Sequence, residues 1–144
     1  MELHAGVFPE KILLLIQLKG LLMSSFLYNE IDMIGKYKVI TLCGSTRFKD
    51  AFMEVQKQLT LEGNIVISVG LFGHSGDNEV WENMDEGTLT KTKEMLDDMH
   101  KRKIDMADEI FVINVNGYIG DSTRSEIAYA QQTGKKVNYL VNIQ

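Results

Sequence analysis

Between Lys38 and Val141 the apolar residues fall into two alternating rhythms. Short β-branched runs, Val39 to Cys43, Ile65 to Val69, Glu109 to Val115 and Lys136 to Val141, read as strands. Between them, apolar positions recur every three or four residues. Phe48, Phe52, Val55 and Leu59 make one such stripe, so Arg47 to Glu62 is a predicted helix, stopped by Gly63. Thr88 to Met106 and Thr123 to Thr133 are the next two helices, the latter closed by Gly134. Strands that alternate with helices pair in parallel through right-handed crossovers. The pattern therefore predicts an α/β fold: a doubly wound parallel sheet of four to five strands, a flavodoxin-like or Rossmann-like three-layer sandwich.

Residues 12 to 28 are strongly apolar, with Leu14, Leu18, Leu21 and Leu22 on one helical face and Pro9 at the start. Gln17, Lys19 and Gly20 interrupt the run, which argues against a membrane span. Glu2 and Glu10, the sparse positive charge and the lack of a clear cleavage site argue against a signal peptide. The division expected is a helical extension over residues 1 to 35 and the working domain over 36 to 144. An apolar helix of this kind needs cover, so a homo-oligomer, dimer or larger, is expected.

The chain of 144 residues has 15 basic and 20 acidic residues, a net charge of −5, which excludes the footprint of a nucleic-acid polymer binder. The one cysteine, Cys43, rules out an internal disulfide framework and reads as a buried thiol at a strand end. A reducing cytoplasm is the expected compartment, with no membrane partner.

Ligands on such sheets bind beyond the carboxyl ends of the strands, where strand order reverses. Three loops qualify: Gly44 to Arg47, Gly70 to Asp85, and Asn116 to Thr123. In the first, a strand runs into Gly44-Ser45-Thr46-Arg47 and then a helix, a setting that suits phosphate through free N–H groups, two hydroxyls and a guanidinium. Ser45 or Thr46 merely capping the helix is the plain alternative. In the third, Gly120-Asp121-Ser122-Thr123-Arg124-Ser125-Glu126 leads into a helix that puts Glu126 in its first turn. There a carboxylate can attack an anomeric carbon. The spacing Thr123-x-x-Glu126 also matches a capping box, and by spacing alone that is the favoured reading. His100 leans inward with Leu96 and Ile104, as an acid–base group or as a structural histidine. Asp97 and Asp98 read as solvated. His74, Asp77, Glu79 and Trp81 match no metal spacing, and neither metal nor cofactor is expected. Trp81, the only tryptophan, either stacks on a base or pins its loop.

From about Tyr37 to Val141 the motif order resembles that of the nucleoside 2-deoxyribosyltransferase-like superfamily, which includes deoxynucleoside 5′-monophosphate N-hydrolases. Thr41 to Arg47 is similar to the family's opening strand and turn, Ile104 to Val112 to its Ala-Asp and strand segment, and Gly120 to Ala130 with Gly134 to Val137 to its nucleophile helix and closing strand. The resemblance implies that Glu126 attacks the sugar and expels the base, and that water or a second base resolves the ester. It implies that the Gly44 to Arg47 turn holds a sugar hydroxyl or 5′-phosphate, with Gly120, Asp121, Ser122 and Arg124 beside it. His100 stands where relatives commonly carry an aspartate, and Asn114 and Asn116 where they often carry an acid. These departures leave hydrolysis as open as deoxyribosyl transfer. The substrate expected is a small nucleoside or nucleotide. The competing expectation is a non-catalytic nucleotide-binding or sensing module in which Glu126 only caps its helix.

Overall fold

The computed structural model describes residues 35–143; the helix expected over residues 12 to 28 lies outside them. The element order is β1 (Val39–Gly44), α1 (Lys49–Leu61), β2 (Ile65–Ile67), the short α2 (Glu79–Glu82), α3 (Glu86–Asp105), β3 (Glu109–Ile113), α4 (Asp121–Gln132) and β4 (Lys136–Tyr139). The four strands form one sheet in the order β2-β1-β3-β4, and every pair is parallel. The α/β doubly wound class expected from the periodicity is the class observed. Among the described residues no helix is long and apolar enough to cross a membrane.

Alternation along the central strands divides the core in two. Leu42 of β1 and Ile113 of β3 meet Ala51, Phe52 and Val55 of α1 on one face. Cys43, Ile110 and Val112 meet Ile104 of α3 and Ala130 of α4 on the other. Successive residues of a strand point to opposite faces, so helices pack on both sides and the central strands β1 and β3 are buried. The chain leaves β1 towards β2 in one direction, and β3 lies on the other side of β1. The switch point therefore falls at Gly44 and Ile113, the paired carboxyl ends of β1 and β3.

Glycine is required at that junction. A Cβ on Gly44 would sit 2.9 Å from the Ile113 carbonyl oxygen and 3.0 Å from its Cβ. Backbone cannot yield as a flexible side chain does, so Gly44→Ala is expected to destabilise the protein by about 1–3 kcal/mol, in the range of overpacked cores. Urea denaturation measures this; a change below about 0.5 kcal/mol, the range of ordinary surface substitutions, would show that the strand ends have slack. At the same carboxyl edge of the sheet Asn114, fully buried, donates to the Val141 carbonyl at 2.8 Å and accepts from the Val141 amide at 2.9 Å. The polar residue after β3 thus ties down the chain leaving β4.

Candidate active site

The loop after β1 is tied to both other loops of the switch point. Arg47 donates from Nε to Ser45 Oγ at 3.1 Å, and its guanidinium lies 4.6 Å from the Tyr118 ring centroid. Tyr118 also meets Phe48 edge-on, with centroids 5.9 Å apart. Thr46 Oγ1 and His74 Nδ1 are hydrogen-bonded at 2.6 Å. Helix α1 starts at Lys49, two residues later than the apolar stripe suggested, with Phe48 at the N-cap and no side-chain cap. Neither Ser45 nor Thr46 caps it, and Arg47 precedes the helix instead of sitting in its first turn.

The loop from Gly70 to Asp85 is ordered by its own contacts. Asp77 Oδ2 accepts from the Phe72 amide at 2.8 Å while the Phe72 ring packs edge-on against Phe52. Trp81 donates from Nε1 to the Gly73 carbonyl at 3.0 Å. Its ring crosses so close to Gly73 that a Cβ there would come within 2.5 Å of it. Trp81 therefore pins the loop, and it also lines the cleft.

Helix α4 starts at Asp121 after Gly120, earlier than expected, without a side-chain cap. Glu126 is consequently in the second turn, and the capping box is not made. The structure also corrects Arg124. Two residues on a helix are about 200° apart, so with Glu126 turned inward Arg124 is turned out. It is exposed, reaches only the Ile119 carbonyl at 3.5 Å and does not line the cleft.

The three loops enclose a cleft of about 610 Å³. Gly44, Ser45, Thr46 and Arg47 line one part of it, and Gly120, Asp121 and Ser122 another, with His100 and Glu126 in the lining as well. Missed by the sequence reading was the rest of the α3 face: Lys93, Asp97 and Lys103 line the cleft with His100. With His100 they follow one another at steps of four, three and three, a signal that they share one stripe. Asp97, read as solvated, is exposed but on the cleft side.

Glu126 Oε2 is buried, has no hydrogen-bond partner and lies 3.8 Å from His100 Nε2. His100 Nε2 is 3.4 Å from Cys43 Sγ. Burial pushes the Glu126 carboxyl up to about 8, with Asp97 adding to the rise and the Cys43 thiol, Lys101 and Lys103 opposing it. Burial also takes His100 down to about 4, helped by Lys103 and opposed by a hydrogen bond to the Leu42 backbone. The Cys43 thiol is raised by burial and then by the nearness of Glu126. At neutral pH all three groups are therefore mainly uncharged, and the Glu126–His100 contact is not an ion pair. His100 is too weak a base to hold a proton at that pH. It faces Glu126 as a neutral imidazole at 3.8 Å, beyond hydrogen-bond distance. Cys43, fully buried, is a protonated thiol, which agrees with the inert reading of its strand-end position.

Comparison with protein-family models, with curated proteins and with solved structures finds no match to this chain.

Proposed function

We propose that the protein cleaves the N-glycosidic bond of a nucleoside or nucleoside 5′-monophosphate, with Glu126 as the nucleophile. The observation that carries the reading is Glu126 Oε2, buried without a hydrogen-bond partner at the switch point, in the cleft that the loop bearing Ser45, Thr46 and Arg47 also lines. A buried polar atom without a partner costs stability, and such a cost is commonly kept where a ligand meets it. The order of the motifs, similar to that of the nucleoside 2-deoxyribosyltransferase-like superfamily, supports the same chemistry.

In this mechanism one Glu126 oxygen bonds to the anomeric carbon as the carbon–nitrogen bond breaks and its electron pair goes to the base. The oxocarbenium character of the transition state favours an adjacent anion, so substrate binding draws Glu126 towards its ionised form. The proton Glu126 sheds equals the one the departing base takes up. Water then attacks the glycosyl ester, releasing the sugar and regenerating the carboxyl; a second base in place of water gives transfer. Ser45, Thr46 and Arg47 hold the 5′-phosphate through hydroxyls and a guanidinium whose only hydrogen bond among the described residues is to Ser45.

Chromatography of base release from ribo- and deoxyribonucleosides and their 5′-monophosphates tests this. Monophosphates are the expected substrates. Arg47→Ala is expected to raise their KM by about 10- to 100-fold, the worth of a hydrogen bond to a charged group, and to leave nucleosides little changed. Equal losses for both would place Arg47 outside the phosphate site. The second reading, a non-catalytic nucleotide-binding module, is favoured by one observation: Glu126 is mainly protonated at rest. Nucleotide binding without base release from any member of the panel would select it.

A further inference from the structure

We propose that Cys43, His100 and Glu126 together form a zinc-binding site in the floor of the cleft. The three ligand atoms, a thiol sulfur, an imidazole nitrogen and a carboxyl oxygen, all lie within 4.8 Å of one another. A sulfur, nitrogen and oxygen donor set is that of zinc rather than of magnesium or calcium, which take oxygen alone.

The spacing fits the ion. Bond lengths of about 2.3 Å to sulfur and about 2.0–2.1 Å to nitrogen or oxygen, with tetrahedral angles, put sulfur and nitrogen about 3.5 Å apart. The same geometry puts nitrogen and oxygen about 3.3 Å apart. The observed separations are 3.4 Å for Cys43 Sγ to His100 Nε2 and 3.8 Å for His100 Nε2 to Glu126 Oε2. The third pair, Cys43 Sγ and the Glu126 carboxyl oxygen, lies within 4.8 Å, and zinc binding closes it to about 3.5 Å by side-chain rotation. The hydrogen bond of His100 to the Leu42 backbone is the kind of outer contact that fixes a ligating imidazole. Glu126 Oε2, buried without a partner, gains one.

Three protein ligands leave a fourth position. His100 and Glu126 line the cleft and Cys43 lies buried behind them, so the open position faces the cleft and takes water or a ligand heteroatom. Protons balance simply: zinc replaces the thiol proton of Cys43 and the carboxyl proton of Glu126, and both leave to solvent. The site goes beyond the glycosidic reading and does not need it. Where that reading holds, zinc occupies the nucleophile and acts as an inhibitor.

The test is metal titration of the full chain, reduced and stripped with a chelator. Calorimetry with Zn²⁺ is expected to show one ion per chain at a micromolar Kd or tighter. Co²⁺ is expected to give a thiolate-to-cobalt charge-transfer band in the near ultraviolet. Cys43→Ala should remove that band and weaken zinc by about 100-fold, at or beyond the upper end of losses seen for outer-shell contacts. His100→Gln should weaken zinc likewise, with thermal melts confirming that both variants fold. His74→Ala, at an exposed histidine elsewhere in the cleft, should leave the zinc affinity and the cobalt band as they are in wild type. Absence of the cobalt band, or zinc affinity equal in wild type, Cys43→Ala and His100→Gln, would overturn the site. Both readouts are independent of turnover, so an inactive enzyme that binds zinc through Cys43 defeats only the glycosidic reading.

Discussion

Glu126→Gln is expected to lose base release by at least ~10³-fold, a conservative figure beside the losses seen when an enzyme nucleophile is removed, while nucleotide binding stays within a few-fold of wild type. The amide has the shape of the carboxylic acid that Glu126 mainly is at neutral pH. It fills the same space beside His100 and Cys43 without adding a charge. What it lacks is an oxygen that can become an anionic nucleophile. Binding groups at Ser45, Thr46 and Arg47 belong to other loops and are untouched. Calorimetry with a 5′-monophosphate and chromatography of the free base separate the two effects. Retained base release in Glu126→Gln would remove Glu126 from the reaction, and joint loss of binding and release would make it a binding residue.

Stability of the wild type is expected to be level from about pH 4.5 to 6.5 and to fall by about 2 kcal/mol between about pH 6.5 and 8, at ~1.4 kcal/mol per pH unit. The folded protein keeps the Glu126 proton up to about 8, whereas the unfolded chain loses it near 4.5. Over that interval the native state binds more protons, so stability falls as pH rises. His100 acts with the opposite sign. Its folded value of about 4 lies below the unfolded 6.5, so it contributes stability above 6.5 that is lost as pH falls towards 4. Where both act the slopes cancel; above 6.5 only Glu126 acts. The groups that modulate Glu126 are Asp97, Lys101 and Lys103 of α3 and Cys43 of β1. Urea denaturation across this range should show the decline in wild type and its absence in Glu126→Gln. The same proton should produce a falling limb in kcat/KM near pH 8, since the free enzyme's reactive form is the carboxyl whose proton matches the one the departing base takes up. A decline that persists in Glu126→Gln would assign it to another group.

Much of the architecture was legible before any coordinates. The β-branched runs at Val39, Ile65, Glu109 and Lys136 all became parallel strands, and the stripe through Phe52 and Val55 became the buried face of α1. The turn at Gly44 and the loop at Gly120 both reached the cleft. Helix starts were less legible. α1 begins at Lys49 and α4 at Asp121, each displaced by two residues from the expectation. For α4 that small shift matters, because it undoes the capping box.

The sequence by itself determined what short-range physics decides: strand and helix periodicity, the glycine at a crowded turn, and the residue types offered at each loop. Only the tertiary structure brought together Cys43, His100 and Glu126, which come from β1, α3 and α4 and have no shared local spacing. It also decided their ionisation. A carboxyl moved up to about 8 and an imidazole moved down to about 4 are products of burial between packed layers. Periodicity can say that a residue points inward; the desolvation it meets depends on every element that closes over it.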